Sequence, residues 1–376
     1  NPRNIICPFD ACHYDIKVYD QASGKLIYVQ PFDTLFAEYR TTEPALKGVY
    51  NRSLRFPEPK APVKFVIENR DKKLALHELF SVNIDPKDLH IVRESITVGG
   101  DETFEIVKSG DPHDKVDLAF LAEGYTAEDK EKFKADVKKM SDAIFTYDPY
   151  SKNKDRFNIY GVFRASAERG MDEPVQRRYK STALGASYNT FDTDRYLTIP
   201  DDRAVYRMAA QVPFDAVVVL VNTNRYGGGG ITMDMCVSSV DNATSGRIFV
   251  HEFGHSFAAL ADEYTGDVAY NDMFPEGIEP LECNITRLLD KDHIKWKQFL
   301  TPGIQIPTPP VARGAQLPNP QPVGAYEGAG YLVKGMYRPQ MNCIMGTALQ
   351  PPNDQFCAVC KWGIQRMINY YSVETK

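Results

Sequence analysis

The chain has 376 residues, of which 43% are hydrophobic and 25% are charged, and its formal net charge at pH 7 is −6. A chain of this length exceeds one ordinary domain and predicts two. The negative charge and the scattered lysines and arginines exclude a general attraction to nucleic acid or to anionic membranes. No apolar run approaches the roughly 18 residues of a membrane-spanning helix, so we expect no transmembrane segment.

The first hundred or so residues contain short runs typical of β-strands. Residues 14–20, 25–30 and 63–69 alternate with a two-residue period or are rich in β-branched and aromatic side chains. Glycines and prolines separate these runs, and no helical pattern of convincing length interrupts them. We therefore predict an N-terminal antiparallel β-sandwich over residues 1–110.

The pattern changes near residue 110, where strand-like and helix-like segments begin to alternate. Thr126 is placed to cap a helix whose apolar face includes Phe133 and Val137. The predicted order is strand, helix, strand, helix, strand, at residues 116–121, 126–145, 156–163, 203–212 and 215–222. This alternation predicts a second domain, over residues 111–376, in which helices cover a mixed sheet.

The segment IFVHEFGHSFAALADEY, residues 248–264, carries the strongest functional signal. Residues four apart on a helix share one face, so His251 and His255 can bind one zinc ion together. Glu252 follows His251 directly, where its carboxylate can take a proton from a zinc-bound water that attacks a carbonyl. This HExxH arrangement is typical of zinc metallopeptidases. The competing interpretation is a helix with two solvated or hydrogen-bonded histidines.

The third zinc ligand does not follow the metzincin pattern HExxHxxGxxH. Ala258 stands at the glycine position and Ala261 at the position of the third histidine. A catalytic zinc site needs three protein ligands and an open position. If the helix ends near residue 260, a turn can bring Asp262 to the metal, and we favour Asp262 over Glu263. The more distant alternatives are Glu276, Glu279, Glu282 and, after them, His293.

Three further segments bear on the chemistry. NCIMGT, residues 342–347, places Met345 in a tight turn like the one that lies beneath the metal in metzincins, although a methionine there can also be an ordinary core residue. The glycines at 227–230 predict either a flexible turn or a strand edge along which an extended peptide can lie. Cys357 and Cys360 form a CxxC pair. The pair can supply half of the ligands of a metal site, form a disulfide, or consist of two ordinary core thiols.

The segments HEFGHSFAALADEY, VDLAFLAEGYTAEDKEKFKADV and EGAGYLVKGMYRPQMNCIMG together resemble the IgA-peptidase family of zinc metallopeptidases. The resemblance covers roughly residues 110–376, and the leading β-region looks like the N-terminal domain of that family. It implies a bacterial endopeptidase with one catalytic zinc ion that is secreted, periplasmic or at the cell surface. It does not imply immunoglobulin as the substrate, because specificity lies in clefts and accessory domains.

Two tyrosines in the glycine-rich segment EGAGYLVKGMYRP are candidates for contacting the substrate. Tyr331 or Tyr337 can donate a hydrogen bond to the oxyanion that forms when water adds to the scissile carbonyl. The alternative is that both tyrosines pack the glycine-rich loop.

We therefore predict a zinc-dependent endopeptidase that acts on extracellular proteins, with a protein or peptide substrate and no nucleic-acid partner. Because the chain begins at Asn1 rather than methionine, we expect that a targeting segment is missing, through which the protein can be anchored to the cell surface. The alternatives are a surface binding or adhesion protein with a structural or degenerate metal site, and a zinc amidase that acts on cell-wall amides.

Overall fold

A computed structural model of the protein describes residues 4–46, 48–95, 100–266, 273–310, 317–346 and 354–373. Its strands are β1 (Tyr14–Asp20), β2 (Leu26–Phe32), β3 (Val63–Arg70), β4 (Leu76–Ile84), β5 (Glu102–Val107), β6 (Val116–Glu123), β7 (Phe157–Phe163), β8 (Ala216–Val221), β9 (Gly228–Gly230), β10 (Met235–Ser239), β11 (Tyr326–Ala329) and β12 (Leu332–Arg338). Its α-helices are α1 (Phe36–Tyr39), α2 (Lys130–Ile144), α3 (Asp202–Ala209), α4 (Ser245–Ala258) and α5 (Ala358–Tyr371).

The N-terminal strands form one antiparallel sheet in the order β2-β1-β3-β4. Its apolar face packs against the connection between β2 and β3 through Ile16, Val18, Val63, Phe65, Leu54 and Phe56. The predicted β-sandwich is corrected here, because strands β1 to β4 form a single sheet among the described residues, whereas a sandwich requires two. Alternating apolar residues indicate that one face of a sheet is buried, but they do not specify what covers that face.

The second sheet has six strands in the order β5-β7-β6-β8-β10-β9. The four inner strands run parallel, whereas β5 and β9 run antiparallel at the two edges. Every residue of β6, β7, β8 and β10 is buried, as expected for parallel strands covered on both faces. The predicted mixed sheet covered by helices is confirmed.

Helices α2 and α3 begin close to where the sequence predicts them. A capping box between Thr126 and Asp129 precedes α2, whose buried face includes Phe133, Val137 and Met140. Helix α4 packs against β9 and β10 and also contacts α2 and α5, so it lies between the sheet edge and the C-terminal helix. Among the residues that the structure describes, no helix has the length and apolar character needed to cross a membrane.

Hydrogen bonds join the region of the N-terminal sheet to the region of the six-stranded sheet. The Asp33 N–H donates to the Thr232 carbonyl at 3.2 Å, and the Ser53 N–H donates to Asp202 Oδ2 at 2.7 Å. Strand β5 pairs with β7 and therefore belongs to the six-stranded sheet, although it precedes residue 110. The division of the chain at residue 110 stays a prediction.

Candidate active site

Helix α4 presents the two histidines of the HExxH motif to a cleft. Its opposite side is fixed in the core by Phe249, Phe253 and Phe257, which are at most 2% exposed. Because the histidines are four residues apart, their rings lie on the same side of the helix, with centroids 4.9 Å apart. The burial of one side of α4 therefore determines the direction in which His251 and His255 point.

The end of α4 reverses the chain and returns it to the histidines. Ala259 has a left-handed φ of 49°, and the Leu260 N–H donates back to the Gly254 carbonyl at 3.2 Å. The Leu260 carbonyl in turn accepts a hydrogen bond from His255 Nδ1 at 2.5 Å. This turn places Asp262 beside the two imidazole rings.

The three side chains bring one potential ligand atom each to a common point. Asp262 Oδ1 lies 3.1 Å from His251 Nε2 and 3.4 Å from His255 Nε2, and the two Nε2 atoms are 3.3 Å apart. Tetrahedral zinc with bonds of about 2.0–2.2 Å to nitrogen and oxygen requires ligand atoms about 3.3–3.5 Å apart. Asp262 is 6% exposed, and its Oδ1 has no hydrogen-bond partner. The donor set and its spacing therefore fit a metal ion.

The charges of the three groups affect each other strongly. Burial alone would raise the pKa of Asp262, but the neighbouring imidazoles hold it well below its usual range. Burial alone would lower the pKa of His255, but the negative charge of the neighbouring Asp262 raises that pKa to about 9. A compact cluster of this kind holds a positive charge, either as protons on the imidazoles or as a metal cation.

The backbone fixes the tautomer of both histidines. The Nδ1–H of His251 donates to the Ile344 carbonyl at 2.9 Å, just as that of His255 donates to Leu260. With Nδ1 protonated, Nε2 of each ring carries a free lone pair that is directed at the common point. The histidines are thus prepared as metal ligands by carbonyl groups from two loops.

The predicted methionine turn lies directly beneath α4. The Gly346 N–H donates to the Cys343 carbonyl at 2.8 Å, which closes the turn, and Met345 is fully buried. A Cβ atom placed on Gly254 would stand 2.8 Å from Met345 Sδ, so the methionine fills the space next to this helix position. Thr347, the last residue of the predicted segment, lies outside the described residues.

The histidines and Glu252 line a cleft with a volume of about 960 Å³. The part of the chain after residue 110 contributes, among others, Arg195, Tyr226, Gly228, Gly230, Asp262, Tyr264 and Tyr331 to its wall. The N-terminal sheet region contributes His13, Asp33, Glu38, Arg40 and Arg70, among others. The cleft is therefore formed by both parts of the chain.

The glycine run forms the edge strand β9 beside the HExxH motif. A Cβ atom on Gly228 would lie 2.9 Å from Glu252 Cγ, and one on Gly230 would lie 2.4 Å from the Glu252 carbonyl oxygen. Side chains at these positions would push α4 away from the sheet, so the glycines are required for the close approach. The glycines therefore lie in a strand rather than in a flexible turn, and the placement of an extended peptide along this strand stays a prediction.

Models of two known protein families match the chain. The model of the IgA peptidase M64 family matches residues 104–316 and 311–368. The chain belongs to the IgA peptidase M64 family. The model of the peptidase M64 N-terminus matches residues 1–81. No curated protein matches the chain.

Membership of the M64 family makes the chain a peptidase, a hydrolase that acts on peptide bonds. The members are metallopeptidases, and the cluster of His251, His255 and Asp262 is a candidate metal site. The interpretation of α4 as a helix with two incidental histidines is therefore set aside, as is the binding-protein alternative.

The structure separates the candidates for the third ligand of this M64 peptidase. Glu263 points away from the histidines and into a cluster of three cysteines. Glu279 accepts hydrogen bonds from the Thr286 hydroxyl and the Arg287 N–H, and the exposed His293 contacts Asp290. Of the acids weighed from the sequence, Asp262 is the one placed beside both histidines.

The two candidate tyrosines have different positions. The Tyr331 hydroxyl donates to Asp262 Oδ2, the oxygen that does not face the histidines. Tyr337 is outside the cleft, and its hydroxyl is 3.4 Å from Glu327 Oε1. Tyr337 is paired with Glu327 between β12 and β11 and does not line the cleft, so a contact between Tyr337 and the substrate stays a prediction.

Sequence reasoning missed Arg195 and assigned no role to Tyr264. Tyr264 stacks near His251 with ring centroids 6.5 Å apart, and its hydroxyl interacts with Tyr331, Asp262 and Arg195. The ADEY sequence offered a signal for Tyr264, since it follows the third ligand candidate by two residues. Arg195 belongs to a loop far from the HExxH motif in sequence, and nothing in its surroundings indicated a function.

Proposed function

We propose that this M64 peptidase is a zinc-dependent endopeptidase in which His251, His255 and Asp262 hold the metal and Glu252 is the general base. The observation that carries the proposal is the convergence of two Nε2 atoms and the unpartnered Asp262 Oδ1 within 3.4 Å of one another. Three protein ligands leave one position open, which is the arrangement of a catalytic rather than a structural site.

The residues around this site have complementary tasks in peptide hydrolysis. Zinc bound there would supply Lewis acidity, which polarises a carbonyl group and lowers the pKa of water. Glu252 takes a proton from the attacking water and passes it to the leaving amine. Arg195 and Tyr264, which interact electrostatically and both line the cleft, can stabilise the negative charge on the carbonyl oxygen. Tyr331 holds Asp262 in place.

Two structural details support a metzincin-like arrangement of the site. Met345 packs against α4 at Gly254, between the two histidines in sequence, and the preceding Ile344 carbonyl orients His251. We propose that Met345 is the apolar platform below the metal. The departure from the metzincin pattern is Asp262 in place of a third histidine.

An extended peptide fits the cleft along β9. Strand β9 ends the six-stranded sheet and has β10 as its neighbour on one side; on the other side Gly228 bridges Tyr196, and its carbonyl accepts a hydrogen bond from the Leu197 N–H at 3.4 Å. Gly228 and Gly230 line the cleft next to Glu252 without side chains, which leaves room for an extended peptide beside the catalytic base. The resemblance to bacterial IgA peptidases supports extracellular proteins as substrates and a secreted, periplasmic or cell-surface location.

Metal analysis with a casein cleavage assay tests the proposal. Compared with the wild type, His255→Ala and Asp262→Ala should each lose one equivalent of zinc and all cleavage of unfolded casein. His293→Ala is the matched control, because His293 is exposed and outside the cleft, and it should keep both. Zinc content and cleavage that are unchanged in Asp262→Ala would show that Asp262 is not the third ligand.

A further inference from the structure

We propose that Glu263, Cys343, Cys357 and Cys360 form a second, structural zinc site that fixes the active-site loops. The four side chains are buried, with exposed fractions of 1%, 1%, 2% and 0%. One potential ligand atom from each lies within 4.8 Å of those of the other three. This site is separate from the cluster of His251, His255 and Asp262 and does not depend on the function proposed for it.

The distances within the cluster suit a tetrahedral ion. Cys343 Sγ lies 3.7 Å from Cys360 Sγ. Glu263 Oε1 lies 3.0 Å from Cys360 Sγ and 3.5 Å from Cys357 Sγ. A tetrahedral zinc ion with Zn–S bonds of about 2.3 Å separates two sulfur ligands by about 3.8 Å, and it separates sulfur from oxygen by about 3.5 Å. Small shifts of the side chains therefore suffice to coordinate zinc.

The backbone is arranged to stabilise thiolates rather than a disulfide. The Cys357 N–H points at Cys343 Sγ at 3.2 Å, and the Cys360 N–H points at Cys357 Sγ at 3.3 Å. Cys357 is the N-cap of α5 and Cys360 lies in its first turn, where the helix dipole favours negative charge. The 3.7 Å between the Cys343 and Cys360 sulfurs is far longer than the roughly 2.05 Å of a disulfide bond. All three thiols are free.

Glu263 provides the independent sign that a cation belongs here. Its Oε1 accepts a hydrogen bond from Asn284 Nδ2 at 3.0 Å, whereas its buried Oε2 has no partner. Arg338 is nearby, but it donates to the backbone carbonyl of Glu263 and not to the carboxylate. A carboxylate that is almost completely buried without a paired cation costs several kcal/mol, and a bound metal ion removes this cost.

The position of the cluster explains what the metal would do. Glu263 follows Asp262 directly, and Cys343 is two residues before Met345. The Glu263 N–H also donates to the Met345 carbonyl at 2.8 Å. A zinc ion with four protein ligands has no open position and joins separate segments. Here it would join the loop after α4, the methionine turn and the start of α5, and so keep Asp262 in place.

Replacement of the metal with cobalt distinguishes the two sites spectroscopically. Thiolate ligands give cobalt(II) an intense near-ultraviolet charge-transfer absorption, which ligation by histidine and aspartate alone does not produce. Wild-type protein purified under reducing conditions should contain about two zinc ions per chain, and its cobalt form should show the thiolate band. The His255→Ala variant should lose one ion but keep the band, which separates this proposal from that for the active site.

Variants of the cluster complete the test. Cys360→Ser should lose one metal ion and the thiolate band, whereas Cys12→Ala, which removes a buried cysteine outside the cluster, should keep both. Glu263→Cys tests the site even if Cys360→Ser fails to fold. It adds a fourth thiolate and should therefore retain both ions and strengthen the band. Wild type that binds one ion, without a thiolate band after cobalt is supplied, would overturn the proposal. A Cys357–Cys360 disulfide detected by mass spectrometry in the reduced preparation would also overturn it.

Discussion

Met345 lies against Gly254 in the middle of helix α4, so closely that a Cβ atom on the glycine would be 2.8 Å from the methionine sulfur. This contact occurs between His251 and His255 in the sequence of the helix. The distance between helix α4 and the methionine turn therefore sets the position of the Nε2 atoms of both histidines. The spacing of the proposed metal ligands depends on a side chain that does not touch the cleft.

Gly254→Ala should disturb this contact and weaken metal binding. The added methyl group has no free space, and overpacking of this kind costs about 1–3 kcal/mol. We expect a lower unfolding temperature and weaker retention of zinc in competition with a chelator. Combining the change with Met345→Ala should restore part of the loss, because the sulfur that clashes is removed. Additive effects of the two substitutions would contradict the direct contact.

Tyr331→Phe should loosen Asp262 without removing a ligand. The hydroxyl donates to Asp262 Oδ2, and the loss of such a partner of a metal ligand typically weakens metal affinity about 10–100-fold. Tyr337→Phe is the matched control, since its hydroxyl is 3.4 Å from Glu327 and outside the cleft. Zinc affinity measured by chelator competition should fall in the first variant only. Equal affinities in the two variants would argue against a positioning role for Tyr331.

Ala259→Gly should stabilise the protein. Ala259 adopts a φ of 49° at the end of α4, a conformation that glycine adopts without the steric penalty of a Cβ atom. We expect a gain of about 0.5–1 kcal/mol in the free energy of unfolding. Ala258→Gly, one residue earlier and still helical, should instead lose a similar amount. Denaturant unfolding of both variants measures the difference, and a loss in Ala259→Gly would contradict the left-handed turn.

We expect Asp215 to make the stability of the protein depend on pH. Burial raises its pKa from 3.8 to about 7, and its Oδ2 accepts a hydrogen bond from the Asp117 N–H at 2.9 Å. Between these two values the folded protein keeps a proton that the unfolded chain has released. This contribution to stability is therefore lost as pH rises from about 4 to about 7.

Asp215→Asn removes that pH dependence while it keeps an oxygen that can accept the hydrogen bond. Its unfolding temperature relative to the wild type should be higher at pH 8 than at pH 5, by at least about 2 °C. Asp142→Asn changes an exposed carboxylate on α2 and serves as the control. An equal difference at both pH values would show that Asp215 is ionised throughout this range in the folded protein.

The parts of the site that depend on local spacing could be predicted from the sequence. His251 and His255 share a helix face because they are four residues apart, and the capped start of α2 follows from Thr126 and Asp129. The sequence favours Asp262 as the third ligand because a turn after the helix can return it to the histidines. The left-handed residue that makes this turn is Ala259, a residue type that gives no signal for such a conformation.

The remaining features depend on contacts between distant residues. Cys343 and Cys357 are 14 residues apart, and Cys357 and Glu263 are 94 apart, so the CxxC pair alone did not reveal the rest of the cluster. Arg195 and the residues of the N-terminal sheet reach the cleft only through tertiary packing. Leu54 and Phe56 pack on the buried face of that sheet, and the alternating pattern of apolar residues in its strands does not predict which residues do so.

The central claim is that Glu252 performs the proton transfer while the adjacent histidines hold the metal. The most direct measurement is the kcat/KM of Glu252→Gln for a peptide substrate, together with its zinc content. Glu327→Gln, an exposed glutamate outside the cleft, is the control and should have wild-type activity. We predict full zinc content and a loss of kcat/KM of at least about 100-fold in Glu252→Gln. Wild-type kcat/KM in a Glu252→Gln protein that retains zinc would contradict the account.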